Sequence, residues 1–253
     1  GLPSSFDPQT GSNIQWSAQL GTETHSTPIV AGGRVYIGTN NGHPRDPAIQ
    51  GDRGVLMCFR EKDGAFLWQA VSDKLEAGKS LDWPEQGVCS SPAVEGKRLY
   101  YVSNRGELVC LDTEGFLDAK NDGPFQEESY RSQLDADIIW KLDMMKELGV
   151  YQRNMANSSP VIWDDLVFVE TSNGRSDEKL PAPKAPSFIA VNKNTGKVVW
   201  QKSLRADFEG QPGVWAYSES PLIDGDQLIC APGGTNATVI ALNKKTGDVV
   251  WKS

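Results

Sequence analysis

At 253 residues the chain can be one all-β domain, and its 25 Gly and 15 Pro suit a fold with many turns. The formal charge of −8 argues against a nucleic-acid partner, because phosphate binding needs a basic field. This section shows no signal-peptide pattern and no apolar run of membrane-spanning length.

The elements repeat along the chain. Asp7-Pro-Gln-Thr-Gly11 before Ile14-Gln-Trp16 predicts a strand end, a turn and a strand over 13–17, the tail (6–17) of a unit without its first half. The next unit, about 22–71, opens with Thr27-Pro28-Ile-Val, turns at Gly32-Gly33 and continues with Val35-Tyr-Ile37. It ends in Cys58-Phe-Arg-Glu-Lys-Asp-Gly-Ala-Phe-Leu-Trp68. The second, 87–142, runs Ser91-Pro92-Ala-Val, Glu95-Gly96, Leu99-Tyr-Tyr101, Asp112-Thr-Glu-Gly115 and, after an insertion, Ile138-Ile-Trp140. The third, 155–204, runs Ser159-Pro160-Val-Ile, Asp164-Asp165, Leu166-Val-Phe168 and Ala190-Val-Asn-Lys-Asn-Thr-Gly-Lys-Val-Val-Trp200. The fourth, 216–253, runs Ser220-Pro221-Leu-Ile, Asp224-Gly225, Leu228-Ile-Cys230 and Ala241-Leu-Asn-Lys-Lys-Thr-Gly-Asp-Val-Val-Trp251.

Each closing phrase reads as a β-hairpin. A short apolar strand ends in Asp or Asn, whose side chain bonds back to the turn; a Gly takes the positive φ, and the return strand ends in Trp. With the hairpin ahead of it, the unit is four antiparallel strands. Four such units predict a sector of a β-propeller, four four-stranded blades plus one extra strand, in a single domain over 1–253. The leftover strand at 13–17 has no place in a four-bladed ring, so the expectation is part of a six- to eight-bladed propeller.

The unit prolines at 28, 92, 160 and 221 give a period of about sixty, longer than the roughly 40–45 residues of common blades. The excess lies in loops at 40–53, 72–87, 143–157, 172–187 and 205–217, which an up-and-down blade places on one face. Only 116–135 falls on the other face. Elaboration concentrated on one face of a rigid scaffold marks that face for binding.

The Ala-x-Asp/Asn-x-x-x-Gly-x-x-x-Trp phrase resembles the tryptophan-docking repeat of quinoprotein-type (PQQ-like) propellers. That family includes pyrroloquinoline quinone (PQQ) dehydrogenases and non-catalytic, BamB-like propellers of bacterial outer-membrane assembly. The resemblance implies that Trp16, Trp68, Trp140, Trp200 and Trp251 dock on neighbouring blades around the turn glycines Gly64, Gly115, Gly196 and Gly247. It also implies a periplasmic or cell-envelope location. The function expected from it is a binding or scaffold module; the alternative is a PQQ- and calcium-dependent alcohol or sugar dehydrogenase. The family enzymes need a vicinal Cys–Cys disulfide, a catalytic Asp and a calcium site. Here Cys58, Cys89, Cys110 and Cys230 include no vicinal pair, and His25 and His43 form no base cluster.

Cys58 and Cys110 take the small-residue position held by Ala190 and Ala241, and with Cys230 they read as buried core; Cys89 is the one suspected of exposure. Candidate ligand-binding residues precede the inner strands or sit at the second-to-third-strand corners: Trp83, Glu85, Arg105, Arg153, Asn157, Arg175, Trp215, Tyr217 and Glu219. Aromatic rings mixed with carboxylates, Arg and amides suit a polar ligand or a protein partner on the loop-rich face. No catalytic residue and no metal ligand is assigned.

Overall fold

The computed structural model describes residues 3–76, 78–154, 156–174 and 179–253. Sixteen strands form four separate four-stranded antiparallel sheets. The first contains β1 (Ile29–Ala31), β2 (Arg34–Asn40), β3 (Arg53–Arg60) and β4 (Phe66–Asp73). The second contains β5 (Ala93–Glu95), β6 (Arg98–Val102), β7 (Glu107–Asp112) and β8 (Ile138–Asp143). The third contains β9 (Val161–Trp163), β10 (Leu166–Glu170), β11 (Phe188–Asn192) and β12 (Val198–Lys202). The fourth contains β13 (Leu222–Asp224), β14 (Gln227–Cys230), β15 (Ile240–Asn243) and β16 (Val249–Lys252). Within every sheet the strands lie in chain order, so each is an up-and-down meander. Two short helices, α1 (Met144–Leu148) and α2 (Leu204–Phe208), sit in connections between sheets. The arrangement is the all-β propeller sector read from the repeats.

The outer hairpins share one irregularity. Each has a bulge just after the small residue facing its Trp: Cys58 opposite Trp68, Cys110 opposite Trp140, Ala190 opposite Trp200 and Ala241 opposite Trp251. A bulge adds twist and re-aims the side chain beside it. The Asx turn works as the sequence suggested: Asn192 Oδ1 accepts from the Asn194 and Thr195 amides, and Asn243 Oδ1 from those of Lys245 and Thr246.

The core is layered between sheets. Tyr36, Leu56 and Trp68 of the first sheet pack with Leu99, Tyr101 and Val109 of the second. Tyr100, Leu108 and Trp140 pack with Val167, Ile189 and Val191 of the third. Phe168, Phe188 and Trp200 pack with Leu228, Ile240 and Leu242 of the fourth. Period-two alternation sends odd and even positions to opposite interfaces, as in Tyr100 and Tyr101.

The indoles sit where these layers meet. A Cβ built on Gly64 would lie 2.6 Å from Trp16, on Gly115 2.9 Å from Trp68, on Gly196 2.7 Å from Trp140 and on Gly247 2.8 Å from Trp200. Each of these glycines has φ between 59° and 74°, so both the turn and the ring require Gly. Each indole N–H donates to a carbonyl of the next turn: Trp16 to Glu61, Trp68 to Thr113, Trp140 to Lys193 and Trp200 to Lys244. Trp251 donates instead to Gln227 of its own sheet and is 40% exposed.

The extra strand expected at 13–17 does not form. Asp7 and Ser12 make one isolated bridge, and residues 14–20 run without a ladder partner. Among the described residues the arms of that hairpin meet only at this bridge. Trp16 still packs on Phe59, with ring centroids 6.4 Å apart, and Ala18 and Leu20 cover the outer face of the first sheet.

Candidate functional site

The antiparallel order puts the β2–β3, β10–β11 and all sheet-to-sheet connections at one end, and a hollow of about 720 Å³ opens there among the starts of the inner strands. Its lining includes Thr27, Ser91 and Ser159, the residues before the unit prolines. These residues are linked. The Thr27 amide donates to Ser91 Oγ at 2.8 Å, the Ser91 amide to Ser159 Oγ at 3.1 Å and the Ser159 amide to Ser220 Oγ at 3.2 Å. A residue before proline is held extended, so each amide points along the arc to the next hydroxyl. The Ser-Pro repeat was visible in the sequence as a strand start, but its role as a clasp between sheets was not, because the partner lies some sixty residues away in the equivalent unit.

Trp83 and Trp215 form the aromatic side of the hollow, edge to face, with centroids 6.5 Å apart and planes at 66°. Trp83 is fixed by its backbone: its amide donates to the Asn154 carbonyl at 2.6 Å and its carbonyl accepts from Lys74 Nζ at 2.7 Å. Lys79 Nζ stands 5.4 Å from the Trp83 ring centroid. Trp215 is 56% exposed, an unusual cost for so large an apolar ring. His25, Gln86, Cys89, Asn154 and Asn157 complete the wall. Asn157 Oδ1 has no partner, while its amide donates to Ser172 Oγ at 3.4 Å. Burial pushes the Cys89 thiol up to about 11, so it is neutral at physiological pH.

Below this wall lies a fixed polar network. Asp82, 1% exposed, accepts from Lys74 Nζ, from Asn104 Nδ2 at 2.8 Å and from the Leu75 amide at 3.0 Å. Burial still raises its carboxyl above the ordinary value, and the Lys74 and Asn104 contacts oppose that rise.

The structure therefore brings Trp83, Asn157 and Trp215 together and places the other candidates elsewhere. Glu85 lies in a separate depression with Asn40 and Asp52, its amide donating to Asp52 Oδ2 at 2.7 Å. Arg105 binds the carbonyls of Asp73 and Lys74. Arg153 is half-buried, with its amide donating to the Ser172 carbonyl at 3.0 Å. Tyr217 is core, 4% exposed between the third and fourth sheets, and its buried hydroxyl has no partner. Glu219 donates its amide to Glu170 Oε2 at 3.2 Å. Arg175 lies outside the described residues.

Glu170 was missed. It is 1% exposed, and burial, then the Glu219 charge, raises its carboxyl well above the usual range. Gly38 and Val102 hold the equivalent position in the first two sheets, facing Leu56 and Leu108 as Glu170 faces Phe188. Aligning the units strand by strand would have exposed the departure. Among the described residues no three His, Cys, Asp or Glu side chains come together as a metal set, and no helix is long and apolar enough to cross a membrane.

Residues 132–253 match the family model described as outer membrane protein assembly factor BamB. A quinoprotein ethanol dehydrogenase of Pseudomonas aeruginosa is 28% identical over 122 residues, 47% of this chain and 17% of the relative. The quinoprotein alcohol dehydrogenase PedH of Pseudomonas putida is 30% identical over 102 residues, 39% of this chain and 14% of the relative. The chain thus aligns with less than a fifth of either curated relative. Among solved structures, BamB of Moraxella catarrhalis superposes with a TM-score of 0.51 at 16% identity, covering 95% of this chain and 51% of that one. The quinohemoprotein alcohol dehydrogenase of Comamonas testosteroni gives 0.58 at 13% identity, covering 92% and 35%. The resemblance read from the repeat is supported: the family model matches residues 132–253, and the fold is that of these solved propellers over nearly the whole chain.

Proposed function

We propose that this PQQ-like propeller sector is a binding or scaffold module of the bacterial cell envelope, and that it engages a protein segment or a small polar ligand in the hollow between Trp83 and Trp215. The observation that carries this is the lining. Two indoles, one largely exposed, face a wall of hydroxyl and amide groups with His25 and Cys89, and no carboxylate is among the described residues that line it. Flat apolar rings give contact area at little entropic cost, and the Ser, Thr and Asn groups supply hydrogen bonds without charge. The envelope location rests on the match to an outer-membrane assembly factor.

The competing reading, a PQQ and calcium dehydrogenase, is favoured by two curated relatives of that chemistry. The donor set of the hollow does not fit it. Calcium takes several oxygen ligands including carboxylates, and none of the described residues lining this space supplies one. The exposed Glu85 and Glu219 belong to other surroundings, and Cys89 has no vicinal cysteine.

The experiment adds PQQ and calcium to the protein, follows quinone absorbance and alcohol-dependent dye reduction, and in parallel captures envelope partners. We expect no dye reduction and a captured partner that is lost in Trp83→Ala and Trp215→Ala. Tight quinone uptake with turnover overturns the binding reading.

A further inference from the structure

The insertion between β7 and β8 faces away from the hollow and crosses to the neighbouring sheet. Asp135 pairs in parallel with Gln69 of β4. The Gln69 amide donates to the Leu134 carbonyl at 2.9 Å, and the Ala136 amide to the Gln69 carbonyl at 2.8 Å. The strap anchored there roofs a cleft of about 250 Å³ between the first two sheets. Gln69 and Tyr101, each 2% exposed, lie among the lining residues, and Phe125 and Tyr130 come from the strap.

The two cationic side chains of the cleft are already engaged. Lys141 Nζ sits 3.1 Å from Glu107 Oε1 and 5.1 Å from the Phe125 ring centroid. Arg105 Nη1 is bound to the Asp73 and Lys74 carbonyls at 3.2 and 3.4 Å. The acceptors are not. Gln69 Oε1 and Glu128 Oε1 are buried with no hydrogen-bond partner. The Glu128 side chain is only 2% exposed, and its other oxygen takes Asn121 Nδ2 at 3.0 Å and Arg131 Nη2 at 3.2 Å. An unpaired buried acceptor is costly, and two lining one cleft point to a missing donor. Of the five lining carboxylates, Asp73, Glu107 and Glu128 pair with Arg53, Lys141 and Arg131, while Glu127 and Asp135 have no ion pair among the described residues, and this surplus of negative charge favours a positive donor. Behind the strap, Asp137 is raised to about 6, by burial first and then by Glu128 and neighbouring carboxylates, as expected where negative charge is incompletely neutralised.

We propose that this cleft binds an alkylammonium or guanidinium group, with Gln69 and Glu128 as its acceptors and the Phe125 and Tyr130 rings as its walls. Aromatic faces attract cations, and Lys141 over Phe125 is the interaction in miniature. A bare metal ion needs a converging ligand set, and none is found among the described residues. The group can come from a free polyamine or from a Lys or Arg side chain of a partner.

Titration calorimetry of the whole chain with spermidine, and with an end-blocked Gly-Gly-Arg-Gly-Gly peptide and its citrulline analogue, tests this. Saturable binding of at least one cationic probe is expected, with none by the citrulline peptide. Tighter binding of the arginine peptide assigns the source to a partner chain; tighter binding of spermidine assigns it to a free amine. Glu128→Gln is expected to weaken binding about tenfold or more, as loss of a charge-assisted bond does. Glu127→Gln changes an exposed lining carboxylate without touching the fold, and is expected to weaken binding about threefold, as a partly screened charge does. Equal binding of the citrulline peptide, no saturable binding of either cation, or unchanged affinity in both variants overturns the proposal. Should Glu128→Gln fail to fold, the Glu127→Gln affinity and the ligand-induced NMR shifts of the Phe125 and Tyr130 rings decide it, and unmoved rings sink it.

Discussion

Two residues with opposite expectations are Trp68 and Trp251, the same letter of the same phrase. Trp68 is fully buried, donates to Thr113 and rests on Gly115 of the next sheet; Trp251 is 40% exposed and reaches only its own sheet. Trp68→Ala is expected to cost about 3–5 kcal/mol, as large core truncations do, and Trp251→Ala less than about 1 kcal/mol. Chemical unfolding of both variants checks the contrast; equal losses would mean that the layer contact is not what holds these rings. Glu170 gives a second prediction. Its folded-state pKa is raised above the ordinary 4.5, so the native state holds a proton that the unfolded chain releases. The neutral group's contribution is fully present below that value and is lost as pH rises through the folded pKa. Glu170→Gln should therefore raise the urea midpoint at pH 8 more than at pH 4 and flatten the pH profile between them. A midpoint difference independent of pH would show that Glu170 is already charged in the fold.

Elements were legible where local chemistry and tertiary context agreed. The Pro-led strands, the Gly turns and the Asx hairpins all form, because each is fixed within about ten residues by φ preferences and side-chain capping. The strand at 13–17 was misread because pairing is not local: the sequence carries the phrase, but the ladder needs a second arm that meets it only at Asp7 and Ser12. Of the candidate site, the Trp83 and Trp215 pair could be suspected, since turn chemistry asks for neither. Glu85, Tyr217 and Glu219 sit as near to the inner strands in sequence yet go elsewhere, because positive φ at Glu85 and Ala216 turns the chain between neighbours. The hydroxyl clasps are an element-scale device with their own test. Ser159→Ala removes the acceptor of the Ser91 amide and is expected to cost about 1 kcal/mol, with faster hydrogen exchange at Ser91. Unchanged exchange there would show that the clasp is not made in solution.

For the molecule as a whole, the layers are unequal. Three interfaces between successive sheets are filled, and residues 18–20 cover the far side of the first. The far side of the fourth carries Leu222 at 60% exposure and Trp251 at 40%. Apolar surface of this kind beside a free strand edge drives association. The chain is expected to self-associate at high concentration, and Leu222→Lys with Trp251→Lys to reduce that; sedimentation that stays monomeric without them would contradict it. The opposite assignment of surfaces is the central one: the loop-rich end, not the sheet faces, is where a partner sits. Replacing Trp83, Trp215 and, as a distant control, exposed Val30 one at a time with a photo-crosslinking residue in living cells tests it most directly. Adducts from positions 83 and 215 to the same partner, with none from position 30, are predicted; adducts from position 30 alone would contradict the account.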